Sequence, residues 1–421
     1  MAGITRTQYG YNTVKFITKD EYSNNTVVDI TAVIANLHFF ESLGREGIVG
    51  RILVVDTENI FAQLQITGVE KIRIDMNIII GEKNVTPIRR EFMLTSVLSK
   101  EVVNDSTISY VFELQEPHMF RGKIEKISKS FVGTPLQIIR RIASGYLGKK
   151  VDVTLEPVQS VMSVITPYLT PLGAMKWIGY RATDKDGFPY YLYSTLNSKN
   201  LQFKSLSEMM NARSHPSDLN NNTYTHSGPT AHQENADEAI RSIEYLAGNA
   251  GGTTLSSVIK GAVGQRYEVL DLTFNEKNND PQVRVKDYYD GNLYNKWVTI
   301  DNKFIDDYES AFTFDIQTPS MTFGNSYGYD EDDLNRLVTK VVRRAIITAV
   351  QTGTLQISVN AHGFMANNIR TIGHKINIVV LQMKDGKMVR DKKQSGEYLI
   401  VEAKHNFYDE KHDLSLKVVK V

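Results

Sequence analysis

The stretch VVDITAVIANLHFFESLGREGIVGRILVVD, residues 27–56, decides the fold class of this chain. Apolar and polar residues alternate along both of its halves, and a glycine-containing turn separates them. A period of two, enriched in β-branched residues, predicts strands that bury one face. The alternation returns in three later runs, VEKIRIDMNIII (69–80), IRREFMLTSVLS (88–99) and TISYVFELQE (107–116). Residues 11–116 are therefore predicted to form an antiparallel sheet that closes into a sandwich or barrel.

One segment interrupts this strand pattern. TENIFAQLQI (57–66) has the look of a short helix or crossover. Thr57 stands where an N-cap residue would accept a hydrogen bond from the first free amide groups. We therefore expect a short helix here, capped by Thr57.

The middle of the chain changes to helical spacing. TPLQIIRRIASGYLG (134–148) and TPLGAMKWIGYRATDKDG (170–187) both begin Thr-Pro-Leu. Such a start offers a capping hydroxyl and a proline at the first helical position, followed by apolar residues at helical spacing. Strand-like sequence follows each of them, in KKVDVTL (149–155) and FPYYLYSTLNSKNLQFKSL (188–206). Residues 126 to about 210 are predicted to form an α/β unit.

Tyr190, Tyr191 and Tyr193 form an aromatic run in this unit. The run could stack a ligand. A strand with one aromatic face packed on its own helices is the favoured interpretation, because aromatic residues are common in strands and dominate cores.

A polar stretch, 211–235, is predicted to be a mobile loop or linker, because it is rich in Asn, Ser, Thr, Pro and Gly. His215, His226 and His232 lie within it, at spacings that match no strong zinc pattern. We favour a solvated loop over a metal site.

Beyond the linker, NADEAIRSIEYLAG (235–248) predicts a helix that ends at Gly248, and a glycine-loosened turn then leads into a strand. The turn GNAGG lacks the spacing of a phosphate-binding loop. Further along, Asp330, Glu331, Asp332 and Asp333 precede a helical pattern. Negative charge at a helix amino terminus is favourable by itself, so a helix start is preferred to a calcium site.

The last part of the chain returns to strands and predicts a second β unit. Its runs are GTLQISVNAHG (353–363), KINIVVLQMKDGKMV (375–389), GEYLIVEAKHNFY (396–408) and DLSLKVVKV (413–421). His405 and His412 flank the turn between the last two runs, among four carboxylates. These residues could form a metal or acid/base site, but without a positioned third ligand an exposed polar hairpin end is favoured.

Composition narrows the class of protein. A chain of 421 residues with 48 basic and 48 acidic side chains is expected to fold into two to four units, with no overall preference for nucleic acid or membranes. The absence of Cys excludes disulfides and thiolate sites, and indicates a reducing compartment. No signal peptide or membrane-spanning run is found. Charge is nevertheless uneven, with a net −9 over 271–335 and a net +7 over 340–421.

The sequence carries no recognisable catalytic pattern. It lacks a Gly-x-Ser-x-Gly elbow, a His-Glu-x-x-His motif, a Walker motif and a complete EF-hand loop. We therefore predict no enzyme, and no catalytic, metal-binding or cofactor-binding residue. Two rival classes stay open, a cell-wall hydrolase and a carbohydrate-binding component. For the latter, Trp177 and Trp297 are few aromatic residues for stacking sugars, and Trp177 falls in a helix pattern.

Three segments together resemble the central hub protein of contractile phage baseplates, a family related to the hub part of type VI secretion spikes. They are EYSNNTVVDITAVIANLHFFESLGREGIVGRILVVDTENIFAQLQITGVEKIRI (21–74), TPLGAMKWIGYRAT with the following hairpin, and the closing run from Gly373 to Val421. The resemblance implies a mainly β fold, with two antiparallel barrels like the tail-tube subunit and an α/β middle domain. Residues 1–125 would form the first barrel, 126–232 with 265–335 the middle domain, and 233–264 with 336–421 the second barrel.

The family resemblance also implies an assembly. Three chains would form a pseudo-six-fold ring that joins the central spike to the tail tube, contacts wedge or other hub proteins, and leaves a channel through which DNA passes non-specifically. The protein would belong to the virion tail, assemble in the bacterial host cytoplasm and insert into no membrane. A channel for sliding DNA should avoid strong positive charge, so the basic excess of residues 340–421 is predicted to face protein partners. The strand 69–80 and the closing hairpin are the expected joining segments.

Overall fold

The computed structural model describes most of the chain up to residue 248 and the closing strands, with shorter pieces between them. The described residues are 8–19, 25–64, 66–80, 84–158, 161–185, 188–212, 214–215, 223–226, 241–248, 264–271, 276–278, 282–284, 299–300, 303–304, 311–317, 354–360, 371–392 and 394–420.

The amino-terminal part is almost entirely strand, as the alternating pattern predicts. Its strands are β1 (Gln8–Lys19), β2 (Asn25–Asp29), β3 (Ile34–Ser42), β4 (Val49–Asp56), β5 (Lys71–Ile80), β6 (Asn84–Asn104) and β7 (Thr107–Gln115). A 3-10 turn at Thr31–Val33 and the one-turn helix α1 (Ile60–Gln63) interrupt them.

The middle part is an α/β unit. Its elements are α2 (Pro117–Ile124), β8 (Ser130–Gly133), α3 (Pro135–Ile142), a π-helical turn (Ala143–Leu147), β9 (Val151–Asp152), β10 (Met162–Ile165), α4 (Pro171–Gly179), β11 (Tyr190–Tyr193), β12 (Leu201–Ser205) and α5 (Leu206–Asn211).

The remaining described elements are strands. They are β13 (Ser214–His215), β14 (Thr223–His226), β15 (Ile243–Gly248), β16 (Gly264–Asp271), β17 (Glu276–Asn278), β18 (Gln282–Arg284), β19 (Thr299–Ile300), β20 (Lys303–Phe304), β21 (Ala311–Gln317), β22 (Thr354–Asn360), β23 (Lys375–Lys384), β24 (Lys387–Arg390), β25 (Gly396–Tyr408) and β26 (Lys411–Lys420). The mainly β fold class is thus confirmed.

Strand pairing in the large sheet closes on itself. The order β3–β4–β7–β6–β5–β1 continues from β1 to β26 through the pair Gln8–Lys411, and β26 pairs with β25, which returns to β3. A closed order leaves few free strand edges, and free edges invite unwanted association. The closing hairpin of the chain therefore completes the sheet that the first 115 residues begin.

The same hairpin takes part in a second closed order. From β26 the pairing continues to β22 and β15, and from β25 to β23 and β14. A bridge between Thr225 and Ser242 joins the β14 and β15 sides. The hairpin β25–β26 is therefore shared by both closed orders, and its backbone hydrogen bonds join it to strands of each.

The two Thr-Pro-Leu helices form as predicted. Thr134 and Gln137 make a reciprocal capping box at the start of α3, and the Thr170 side chain accepts a hydrogen bond from Gly173 N at the start of α4. The expected cap at Thr57 is wrong. The Asp56 carboxylate accepts from the amides of Glu58, Ile60 and Phe61 instead, since an ionised oxygen is the stronger acceptor.

Two apolar cores lie side by side. One fills the large sheet and the other packs α3 and α4 against β11 and β12. Strand β11 separates them, because Tyr190 belongs to the helix core while Tyr193 belongs to the sheet core. The expectation of one aromatic face is therefore incomplete: both faces of this strand are buried, so its tyrosines are core residues on two sides.

Three segments differ from the sequence-based expectation. Residues 243–248, expected to end a helix, form β15 and pair with β22, which shows that strand pairing overrides a helical spacing. Within the expected linker, residues 214–215 and 223–226 are strands parallel to β23. Several predictions lie outside the described residues, namely those on GNAGG beyond Gly248, on His232, on Trp297 and on Asp330–Asp333.

Candidate functional site

A buried carboxylate on β3 lies where three parts of the chain meet. Leu37, Phe39 and Glu41 share the inward face of this strand, so Glu41 replaces an apolar side chain. Its carboxylate accepts from the amide of Leu196 in the α/β unit and from the hydroxyl of Thr371, which precedes β23. A third neighbour is His405 on β25, whose Nε2 lies 3.5 Å from Glu41 Oε2. Glu41 therefore joins the first strands, the α/β unit and the closing strands.

The two histidines of the closing hairpin are fully buried, so the expected exposed hairpin end is wrong. The hairpin itself forms, and its inward face carries both rings at 0% exposure. His405 Nδ1 lies 3.2 Å from His412 Nε2, and Phe407 stacks on His412 with ring centroids 4.1 Å apart. His405 thus presents Nε2 to the Glu41 carboxylate and Nδ1 to His412 Nε2, so its ring lies between the two side chains.

Burial sets the protonation of this group. Burial raises the pKa of the Glu41 carboxyl, but the nearby His405 and the donors Thr371 and Leu196 N outweigh it, so the pKa of Glu41 is net lowered. Burial, with a smaller contribution from His405, holds the pKa of His412 well below its usual range. His412 is therefore neutral around pH 7.

A second buried cluster holds the α/β unit against β6. Arg90, 8% exposed, donates to the backbone oxygens of Thr195 and Leu196, each at 2.7 Å. The Glu116 carboxylate lies 3.6 Å from Arg90 and 3.3 Å from Lys149. Arginine suits such a site because its fork of donors serves several acceptors at once. One side chain of the sheet thus fixes the loop between β11 and β12.

A third contact uses the turn between β3 and β4. Its Glu46 carbonyl oxygen lies 2.7 Å from His118 Nε2 and accepts from Ser194 Oγ at 2.9 Å. The Glu46 carboxylate pairs with Lys176 on α4 at 2.7 Å. Burial lowers the pKa of His118 to about 4, with Lys149 and Arg90 acting in the same direction and Glu116 against it. We name Glu41, Arg90, Glu46, Glu116 and His405 together the polar joint.

The geometry of the polar joint suits a mechanical role. Its charged groups are buried and bonded across units, and breaking such contacts leaves unpaired buried charge. Among the described residues, no group of three or more His, Asp or Glu side chains is arranged to hold a metal ion. His226 of β14, one of the linker histidines, is close to the carbonyl oxygen of Ile243 at 3.1 Å.

The two segments expected to join subunits, strand β5 and the hairpin β25–β26, are interior. β5 pairs with β1 on one edge and β6 on the other. β25 and β26 pair with β3, β23, β22 and each other. Their backbone groups are already engaged, so these segments offer no free edge for a partner.

In the part of the chain that the structure describes, no helix is long and apolar enough to cross a membrane.

Sequence reasoning missed Glu41, Arg90 and Glu46. The signal was present in the strand period: Glu41 follows Leu37 and Phe39 on the inward face, and Arg90 lies between Ile88 and Phe92 on another. A charged residue at an inward position of a strand indicates a buried partner. What the sequence could not supply was the partner itself.

Solved structures with the same fold include tail proteins and a chain of a PdpA-VgrG complex. The 43 kDa tail protein of prophage MuSo2 from Shewanella oneidensis matches with a TM-score of 0.55 and 10% sequence identity, over 97% of this chain and 98% of that one. A tail protein from Neisseria meningitidis MC58 matches with a TM-score of 0.54 and 8% identity, over 99% and 96% of the two chains. A chain of the lidded Francisella PdpA-VgrG complex matches with a TM-score of 0.50 and 10% identity, and 53% of its length is covered.

Neither a protein-family model nor a curated protein matches the sequence. With identities this low, the structural likeness establishes the fold and no more. The expected resemblance is confirmed at that level: this chain has the fold of phage tail proteins, over nearly its whole length.

Proposed function

We propose that this chain is the structural hub of a contractile injection tail, and that it acts without catalysis. The observation that carries the proposal is the pair of closed strand orders sharing one hairpin, in a chain whose fold matches phage tail proteins over almost its full length. Two closed sheets in one chain would let a ring of three chains meet a six-fold tube.

In this proposal, three copies form a pseudo-six-fold ring between the central spike and the tail tube. The proposed boundaries are 1–125 for the first barrel, 126–232 with 265–335 for the outer α/β domain, and 233–264 with 336–421 for the second barrel, whose hairpin β25–β26 also completes the strand order of the first. The ring holds the spike, initiates tube polymerisation, contacts wedge or other hub proteins, and leaves a channel for DNA. Its place is the virion tail baseplate, after assembly in the host cytoplasm.

The polar joint supports this mechanical role. A part that transmits force between a spike and a tube must keep its units in a fixed relation. Glu41, Arg90 and Glu46 tie the α/β unit to the sheet through buried bonds, and this geometry is too specific for loosely tethered domains. We propose that the joint makes each copy a single rigid body in the ring.

The oligomeric state tests the proposal. The mass of the purified chain is measured by light scattering over a hundredfold range of concentration, alone and with the candidate spike protein. We expect a species of three times 47.6 kDa, about 143 kDa, and a ring with a central channel in electron micrographs. A chain that stays monomeric with the spike present would contradict the hub role. Cell-wall degradation, or saturable glycan binding, by the purified chain would favour one of the two rival classes.

A further inference from the structure

A cleft of about 660 Å³ lies between the outward face of the large sheet and the α/β unit. Strands β1, β5 and β6 form one wall, and the start of α2, residues 147 and 149 and the loop between β11 and β12 form the other. Seven basic and three acidic side chains line the cleft, a net charge of +4, although the charges of the whole chain sum to zero. A cleft lined mostly by one sign of charge concentrates ions of the opposite sign.

The carboxylates of the cleft are already engaged. Each of the three forms an ion pair with a basic group that also lines the cleft. The pairs are Asp75 with Arg89 at 3.0 Å, Glu91 with Arg73 at 3.0 Å, and Glu116 with Arg90 at 3.6 Å and with Lys149 at 3.3 Å. Glu116 and Arg90 are buried, so this part of the lining is a fixed part of the molecule. No carboxylate of the cleft is left to neutralise a further basic side chain.

Three basic side chains of the cleft form no ion pair with any residue that the structure describes: Lys15, Arg121 and Lys199. They come from β1, from α2 and from the loop between β11 and β12, three segments far apart in the sequence. Lys15 is directly opposite Arg73 in the ladder, and like charges in this position are destabilising. On its other side lies Asp29, whose carboxylate bonds to the turn that follows it. An anion in the cleft would offset this repulsion.

The backbone at each of these three positions is held in place. Lys149 Nζ donates to Lys199 O at 2.9 Å, which keeps the loop between β11 and β12 at the cleft. Arg121 lies on α2, whose Gly122 packs closely against α4. Lys15 lies in β1, between β2 and β5. Basic groups that are already in position bind an anion at a small cost in ordering entropy.

We propose that the cleft binds a compact phosphate with two or more negative charges, as free pyrophosphate or as the diphosphate of a nucleotide. Lys15, Arg121 and Lys199 can together match several charges on one small group, and both lysine and arginine bind phosphate in proteins. A carboxylate of a peptide carries one charge, and a nucleic-acid strand spreads one charge per nucleotide along its length. The volume of the cleft lies in the range of small-molecule sites. The proposal goes beyond the hub role and does not depend on it.

Titration calorimetry with pyrophosphate tests the site. Lys15→Gln, Arg121→Gln and Lys199→Gln should each raise the dissociation constant by about fivefold at low salt, and the triple variant should raise it by at least about twentyfold. Added salt should weaken the binding of pyrophosphate to the wild type. The three side chains are exposed or half-buried, so the variants should fold with the denaturation midpoint of the wild type.

A matched control removes the same charge outside the cleft. Lys126→Gln with Lys129→Gln and Lys150→Gln changes exposed positions of the α/β unit and should bind pyrophosphate like the wild type. In a second titration, ADP that binds as tightly as pyrophosphate supports a nucleotide, and much weaker binding of ADP supports the free ion. Absence of binding at millimolar pyrophosphate, or equal weakening in the control, would overturn the site. Tighter binding of hexaglutamate or of a single-stranded oligothymidylate would overturn the phosphate assignment.

Discussion

Glu41 Oε2 and His405 Nε2 lie 3.5 Å apart, and both side chains are buried. His405 pairs with Phe39 across the β3–β25 ladder, so Glu41 is its diagonal neighbour on the same inward face. At this distance the contact is electrostatic more than a well-formed hydrogen bond. It links the first strands of the chain to its last hairpin, at the point where Leu196 and Thr371 also reach the carboxylate.

Removing the Glu41 carboxylate should lower the stability of the protein. Glu41→Ala leaves the Leu196 amide, the Thr371 hydroxyl and His405 without their buried acceptor. We expect the free energy of unfolding to fall by about 3 to 5 kcal/mol, and by less in Glu41→Gln, which keeps an amide oxygen. Chemical denaturation measures both. Glu402→Gln is the control, since its half-exposed side chain should change stability by under about 0.5 kcal/mol.

Arg90 and Arg89 allow a matched comparison of a buried and an exposed arginine. Arg90→Lys loses the fork that serves the carbonyl oxygens of Thr195 and Leu196, and should lower stability by about 2 to 3 kcal/mol. Amide exchange should quicken in 194–200. Arg89, 71% exposed and paired with Asp75, should tolerate the same change. Equal effects of the two substitutions would show that the Arg90 contacts do not hold the loop.

Acid should destabilise the protein through its buried histidines. The folded pKa of His118, about 4, is below the unfolded value of 6.5, so the unfolded chain binds more protons below pH 6.5. The contribution of neutral His118 to the free energy of unfolding is fully present above pH 6.5. It is lost as the pH falls toward 4, and the loss amounts to about 3 kcal/mol. The lowered pKa of His412 acts in the same direction. The denaturation midpoint should therefore depend less steeply on pH between pH 4 and 7 in His118→Gln than in the wild type. An unchanged pH dependence would show that His118 does not cause the acid destabilisation.

Nearby residues in the sequence predicted the helices and strands better than they predicted which elements pack or pair together. The capped helices at Thr134 and Thr170 and the closing hairpin followed from nearby residues alone. The helix expected up to Gly248 failed because pairing with β22 is not encoded in the segment itself. The sequence correctly predicts that His405 and His412 lie on one hairpin, but it does not predict that both rings are buried.

The reason is distance along the chain. Thr371 is 330 positions from Glu41, and Leu196 is 155 positions from it. No local sequence pattern specifies contacts between residues so far apart along the chain. A carboxylate at an inward strand position indicates that it has a buried partner, but not which residue that partner is. The sequence could therefore indicate single buried charged residues such as Glu41, but it could not predict which residues come together in the polar joint.

Two glycines should respond to alanine with opposite signs. A Cβ at Gly122, on α2, would lie 2.5 Å from Leu172 Cγ and 3.2 Å from Leu147 Cδ2, so the α2–α4 contact must open. Alanine favours a helix by about 1 kcal/mol over glycine, but overpacking of about 1 to 3 kcal/mol should outweigh it. At Gly145 nothing lies within 4 Å of the added Cβ, and alanine should stabilise by about 0.4 to 1 kcal/mol. Thermal midpoints of the two variants decide the point: a rise for Gly122→Ala would mean that helix propensity, not packing against α4, sets stability there.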